Sequence, residues 1–110
     1  MLIAHTVAVE MISELRPIVD AIKRHDSHLA DQLRRAASNT VANLAEGQRR
    51  KAGNKNRAFE NAHGEAQEVL GHLDTARGWG YIVVLDRLLA LCWGLTHSKH
   101  ERPRKAAAIG

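Results

Sequence analysis

The residues best equipped for chemistry are seven histidines, one cysteine and twelve carboxylates in a chain of 110 residues. Glu60-Asn61-Ala62-His63 has the Glu-x-x-His spacing that puts both side chains on one helical face, as in di-metal carboxylate bundles. Such a centre needs a second copy of the motif and two further carboxylates, and the sequence has no second copy. The pair therefore reads as a solvated Glu60 and a His63 at the edge of a core. His25 and His28 straddle a turn, and His97 and His100 lie one helical turn apart. Either pair could hold a metal at a contact between subunits, but neither has a carboxylate or thiolate in step, so surface histidine is the favoured reading. Cys92 falls on an apolar stripe with no adjacent base and reads as a small hydrophobe. A single cysteine also excludes an internal disulfide. Ser13, Ser27 and Ser38 belong to no nucleophile motif, and KAGNKNR lacks the spacing of a phosphate-binding loop. We expect no enzyme activity and no cofactor.

Charge is the stronger signal. The net charge is +4 and the pI about 9.7. Residues 49–57 carry Arg49, Arg50, Lys51, Lys55 and Arg57 with no acid, and residues 99–105 carry Lys99, Arg102, Arg104 and Lys105 with Glu101. These two segments hold nine of the sixteen Lys and Arg, whereas the rest of the chain has seven basic and eleven acidic residues. Cations segregated in this way suit a phosphate backbone.

The elements that position these charges follow from apolar spacing. Leu29, Leu33, Ala36, Ala37, Thr40, Val41 and Leu44 fall on one arc of a helix over 28–50. A thinner stripe of small residues, Ser38, Ala42 and Ala45, lies on its polar side. Asn43 sits at the border of the arc, where a buried amide needs partners and can fix helix register. Glu46 is spaced to pair with Arg50. Upstream, Ile12, Leu15, Val19 and Ile22, with Ile18 beside them, predict a helix over 7–25. Pro17 inside it predicts a kink or a late start. Asp26 or Ser27 is placed to cap the second helix.

Downstream of that helix, Gly53 and Asn54 supply turn chemistry, with Asn54 or Asn56 as the cap of a third helix over 57–77. Phe59, Ala62, Ala66, Val69, Leu70 and Leu73 form its core arc. Gly64, Gly71 and Gly78 recur at seven-residue spacing on another face, which predicts a close approach of a neighbouring backbone matched to the small stripe of the second helix. Gly80 is a natural left-handed terminator. A fourth helix over 82–98 carries the stripe Ile82, Leu85, Leu88, Leu89, Cys92 and Leu95. Val83, Val84, Leu91 and Trp93 lie off or beside that stripe, more apolar surface than one packing face needs.

These segments predict an all-α domain over 1–98, an antiparallel up-down-up-down four-helix bundle, followed by a basic tail over 99–110 that is expected to fray. The surplus apolar surface and the small-residue grooves predict a homo-oligomer, a dimer or a closed ring. The loop after helix two and the tail after helix four would then share one electropositive end. The N-terminus lacks a basic n-region and no run approaches the roughly 20 apolar residues of a membrane span, so a cytoplasmic protein without membrane contact is expected.

The stretch Gln32–Gly47, QLRRAASNTVANLAEG, followed by a basic loop and by Ala62–Tyr81, AHGEAQEVLGHLDTARGWGY, resembles the 23S ribosomal-RNA intervening-sequence protein family. The similarity covers about residues 10–95, and Glu65 stands where the family's A-x-G-S pattern has serine. The resemblance implies a four-helix bundle assembled into a ring, commonly a pentamer, with no established enzymatic activity. It also implies kinship with the accessory variability determinants of diversity-generating retroelements, which bind nucleic acid through basic surfaces and associate with a reverse transcriptase. Arg34, Arg35, Arg49, Arg50 and Lys51 match the family's basic positions by motif. The expectation is a pentameric, nucleic-acid-binding or RNA-associated accessory protein. The alternative is a protein–protein scaffold, for example a partner of a reverse transcriptase, that touches no nucleic acid.

Overall fold

The computed structural model describes residues 3–49, 52–83 and 86–96. They form four helices, α1 (Ile3–Lys23), α2 (Ser27–Arg49), α3 (Ala52–Gly78) and α4 (Asp86–Thr96), with no strand among the described residues. α2 packs against α1 and α3, and α4 packs against the same two helices, with the α2–α3 interface the most extensive.

α2 buries the arc its spacing predicts: Leu29, Leu33, Ala36, Ala37, Thr40 and Leu44 are buried and Val41 is half-buried. The buried Thr40 hydroxyl donates to the Ala36 carbonyl at 2.9 Å, so it enters the core satisfied. In α1 the buried stripe is Ala8, Met11, Leu15 and Ile22, while Ile12, Ile18 and Val19 are half-buried at its edge. α1 starts at Ile3 and runs through Pro17, so the late start does not occur. Proline cannot bond the Ser13 carbonyl, but Ser13 and Pro17 are both exposed, so the missing bond falls on the solvent side of α1 and not in the core. The N–H groups of His25 and Asp26 close α1 on the Ile22 carbonyl at 2.9 and 2.8 Å. Asp26, rather than Ser27, caps α2: its Oδ1 accepts the Leu29 N–H at 2.9 Å.

α3 departs most from expectation. It begins at Ala52, so Gly53 and Asn54 are helical rather than a turn, and neither Asn54 nor Asn56 is a cap. Turn propensity at these residues amounts to about 1 kcal/mol for a helical glycine. Packing of α3 along α2 outweighs it, as tertiary contact commonly does. Ala58, Ala62, Ala66, Val69, Leu73 and Ala76 form the buried stripe, with Phe59 and Leu70 half-buried beside it. The helix ends as predicted at Gly80, whose φ is 81°. The Gly80 N–H donates to the Arg77 carbonyl at 3.0 Å and the Tyr81 N–H to the Ala76 carbonyl at 2.9 Å, the paired bonds of a Schellman motif.

α4 starts later than the predicted residue 82. Ile82 and Val83 precede it outside any helix, and Leu88, Cys92 and Leu95 enter the core. Val84 and Leu85 lie outside the described residues, as does everything after Thr96, the expected tail included.

Close approach of α2 and α3 occurs at a glycine the spacing did not single out. A Cβ on the buried Gly47 would lie 2.7 Å from Cδ1 and 3.0 Å from Cζ of Phe59. Gly64, Gly71 and Gly78 are exposed, and a Cβ on any of them would meet nothing within 4 Å. The predicted match between these glycines and the α2 small stripe is therefore not made within the chain: Ser38 and Ala42 are exposed and Ala45 is half-buried. No helix among the described residues is long and apolar enough to cross a membrane.

Candidate nucleic-acid interface

The Phe59 ring seated on Gly47 fixes where the α2–α3 cations lie. Arg49 ends α2, and Ala52 is within about 11 Å of it, the reach of three residues. Lys55 and Arg57 sit in the first two turns of α3. Arg49 and Arg57 are exposed and Lys55 is half-buried. The first turn of α3 holds no acid. A helix N-terminus already presents unsatisfied N–H groups and the positive end of the helix dipole. Basic residues added there concentrate positive potential instead of balancing it. Glu46 pairs with Arg49 at 2.9 Å, one turn apart, and its expected partner Arg50 lies outside the described residues. An exposed pair of this kind is worth at most about 1 kcal/mol and orients the guanidinium more than it binds it.

Arg50, Lys51, Lys99, Arg102, Arg104 and Lys105 lie outside the described residues, and so does the expected meeting of loop and tail. Arg34 and Arg35 are exposed on α2, but 15 and 14 residues before Arg49, about 21–22 Å along the axis. Arg34 shares a groove of about 340 Å³ between α1 and α2 with Arg16 and Asp20, over an apolar floor of Ile12, Leu15, Val19 and Ala37. Arg35 lines an adjoining recess with Asp31 and Ser38. The candidate cations thus fall into two groups, one interleaved with carboxylates and one at the α2–α3 junction.

Of the residues assigned to packing or assembly, Leu91 is half-buried against its own core and is not surplus. Val83 is 85% exposed but precedes α4 instead of lying on it, and Trp93 is 42% exposed. Asn43 is half-buried and donates to the Asn39 carbonyl at 2.9 Å, a bond within α2.

The metal-like pair resolves into structure. Glu60 is exposed, and His63 is half-buried with Nε2 bonded to the Thr96 carbonyl at the end of α4. Among the described residues no three His, Cys, Asp or Glu side chains gather where they could hold a metal ion. Cys92 is fully buried, and burial pushes its thiol from 9.0 up to about 11, so it is a protonated core side chain at neutral pH.

Three groups escaped the sequence reading. Gly47 carried no signal beyond its place near a helix end. The His63 contact with Thr96 joins residues 33 apart in the chain. The third is a row of rings: His25 stacks on Tyr81 at 4.8 Å with planes 2° apart, and Tyr81 lies 6.5 Å from Trp79 at 18°. The Gly-Trp-Gly-Tyr run hinted that these rings are presented on a turn, but not that His25 meets them.

Neither a curated protein nor a solved structure matches the chain significantly. The family model for the 23S rRNA-intervening sequence protein matches residues 2–92, which takes in α1, α2, α3 and the first part of α4. By that match over most of its length, the chain belongs to the 23S rRNA-intervening sequence protein family.

Proposed function

We propose that this protein is a non-enzymatic, cytoplasmic, RNA-associated accessory protein that self-assembles and contacts nucleic acid through the α2–α3 junction. The observation that carries this reading is the basic run at the α2–α3 junction: Arg49, exposed and paired with Glu46, ends α2, and Lys55 and Arg57 stand in the first two turns of α3, whose first turn lacks an acid. Family membership supports RNA as the polyanion. The three-residue link between α1 and α2, and the packing of each helix against two others, support an up-down-up-down bundle. Exposed Gly64, Gly71, Ser38 and Ala42, with Val83 and Trp93, support assembly into a ring. Five copies is the size the family resemblance implies.

Anisotropy titration of labelled single-stranded RNA at ~50 mM salt tests the binding, since phosphate contacts are strongest there. Reversing the three junction charges (R49E, K55E, R57E) removes about two units from the slope of log K against log salt, at roughly 0.7 per phosphate contact. An unchanged slope, or no binding by the native chain, overturns the reading. Light scattering that finds a lone 12.2 kDa subunit at high concentration overturns the assembly.

The α1–α2 groove favours a second reading. Its apolar floor, with Arg16 and Arg34 among its lining residues, suits an acidic amphipathic helix of a protein partner such as a reverse transcriptase. A partner retained through nuclease treatment and high salt would favour that scaffold role.

A further inference from the structure

We propose that Trp79, backed by Tyr81 and His25, is a stacking platform for one unpaired base of single-stranded RNA, with Lys23 and Arg24 taking the adjoining phosphates. This rests on the RNA reading above but uses a different site. Trp79 lies at the far end of α3 from Lys55 and Arg57, about 33–36 Å along the helix axis.

The Trp79 indole is 70% exposed and does not stand alone, since it continues the row of Tyr81 and His25. Its backbone is also fixed. The Trp79 backbone N–H donates to the Thr75 carbonyl at 3.0 Å, and the Schellman closure at Gly80 follows it. His25, stacked on Tyr81, has its backbone N–H on the Ile22 carbonyl. Two helix ends therefore present one row of rings, and the backbone that carries it has little freedom to lose on binding.

The charge around the row suits a nucleic acid. Lys23, Arg24 and His28 are exposed beside His25. The nearby carboxylates have other duties: Asp26 caps α2, and Asp74 pairs with Arg77 at 3.1 Å. Asp20 is exposed one turn before Lys23. Exposed rings flanked by cations are how single strands are held without sequence readout: bases stack and phosphates follow the charge.

The chain has two tryptophans, so Trp93→Phe leaves Trp79 as the sole indole reporter. A decamer of single-stranded RNA should quench that variant saturably at low salt, and an abasic decamer of equal charge should not. By anisotropy, Trp79→Ala and Trp79→Leu should bind the RNA about tenfold more weakly, while Trp79→Phe keeps most of the affinity. Leucine preserves apolar bulk without a π-face, so a loss shared by both variants reports stacking and not folding. If the native chain binds RNA and the Ala and Leu variants bind it equally well, the platform is overturned and the junction reading survives. If the native chain binds no RNA, both fall. A Trp79→Ala variant that alters sedimentation but not RNA affinity also overturns the platform, because the ring then serves a contact between copies.

Discussion

A methyl group added at Gly47 would be driven into the Phe59 ring, whereas one added at Gly64 or Gly71 meets open space. Gly47→Ala should therefore cost about 1–3 kcal/mol in denaturant unfolding, the usual penalty for overpacking. Gly64→Ala and Gly71→Ala should each gain up to about 1 kcal/mol from helix propensity. If these two glycines face a neighbouring copy, the same variants will scatter light as smaller particles while melting higher. Cys92 gives a pH signature. Its thiol titrates near 11 when folded and near 9.0 in its ordinary state, so between these values the unfolded chain has released a proton the folded chain keeps. Stability should fall as pH rises from 9 to 11, and Cys92→Ala should flatten that decline in a series of melts.

At the scale of elements, helix ends decide where the rings and the charges stand. Asp26→Ala removes the acceptor for the Leu29 N–H and should cost about 1 kcal/mol of unfolding free energy. Gly80→Ala forces a side chain into the left-handed region and should cost roughly 1–2 kcal/mol. It should also disturb the near-ultraviolet signal of Trp79 and Tyr81. Pro17→Ala restores a donor in mid-helix and should stabilise α1 by up to about 3 kcal/mol. Helix α2 was legible because Leu29, Leu33, Ala36, Ala37, Thr40 and Leu44 repeat the helical period without a competing signal. The start of α3 was not, because Gly53 and Asn54 favour a turn locally and only contact with α2 makes them helical.

Over the whole molecule, basic residues that look alike in sequence stand in unlike fields. Arg34 and Arg35 share their recesses with Asp20 and Asp31, while Lys55 and Arg57 stand near an α3 start whose first turn holds no acid, and Arg49 before them pairs with Glu46. Reversing Arg34 and Arg35 should therefore weaken RNA binding much less than reversing the junction three, measured side by side at ~50 mM salt where such contacts count most. The adaptor reading gives the opposite order for capture of a protein partner, since Arg34 lines the α1–α2 groove.

The sequence by itself determined four helical segments, the buried face of α2, the terminator at Gly80, the core role of Cys92 and the separation of charge along the chain. Each is a matter of periodicity or of one residue's backbone preference, and such local rules act within a few residues. Tertiary structure alone decided that Gly47 admits Phe59, that α3 begins before its turn-forming residues, and that His25 stacks on Tyr81. Those outcomes depend on which side chains meet across helices, where one ring or one methylene alters the fit, and nothing in the local chain encodes that distance.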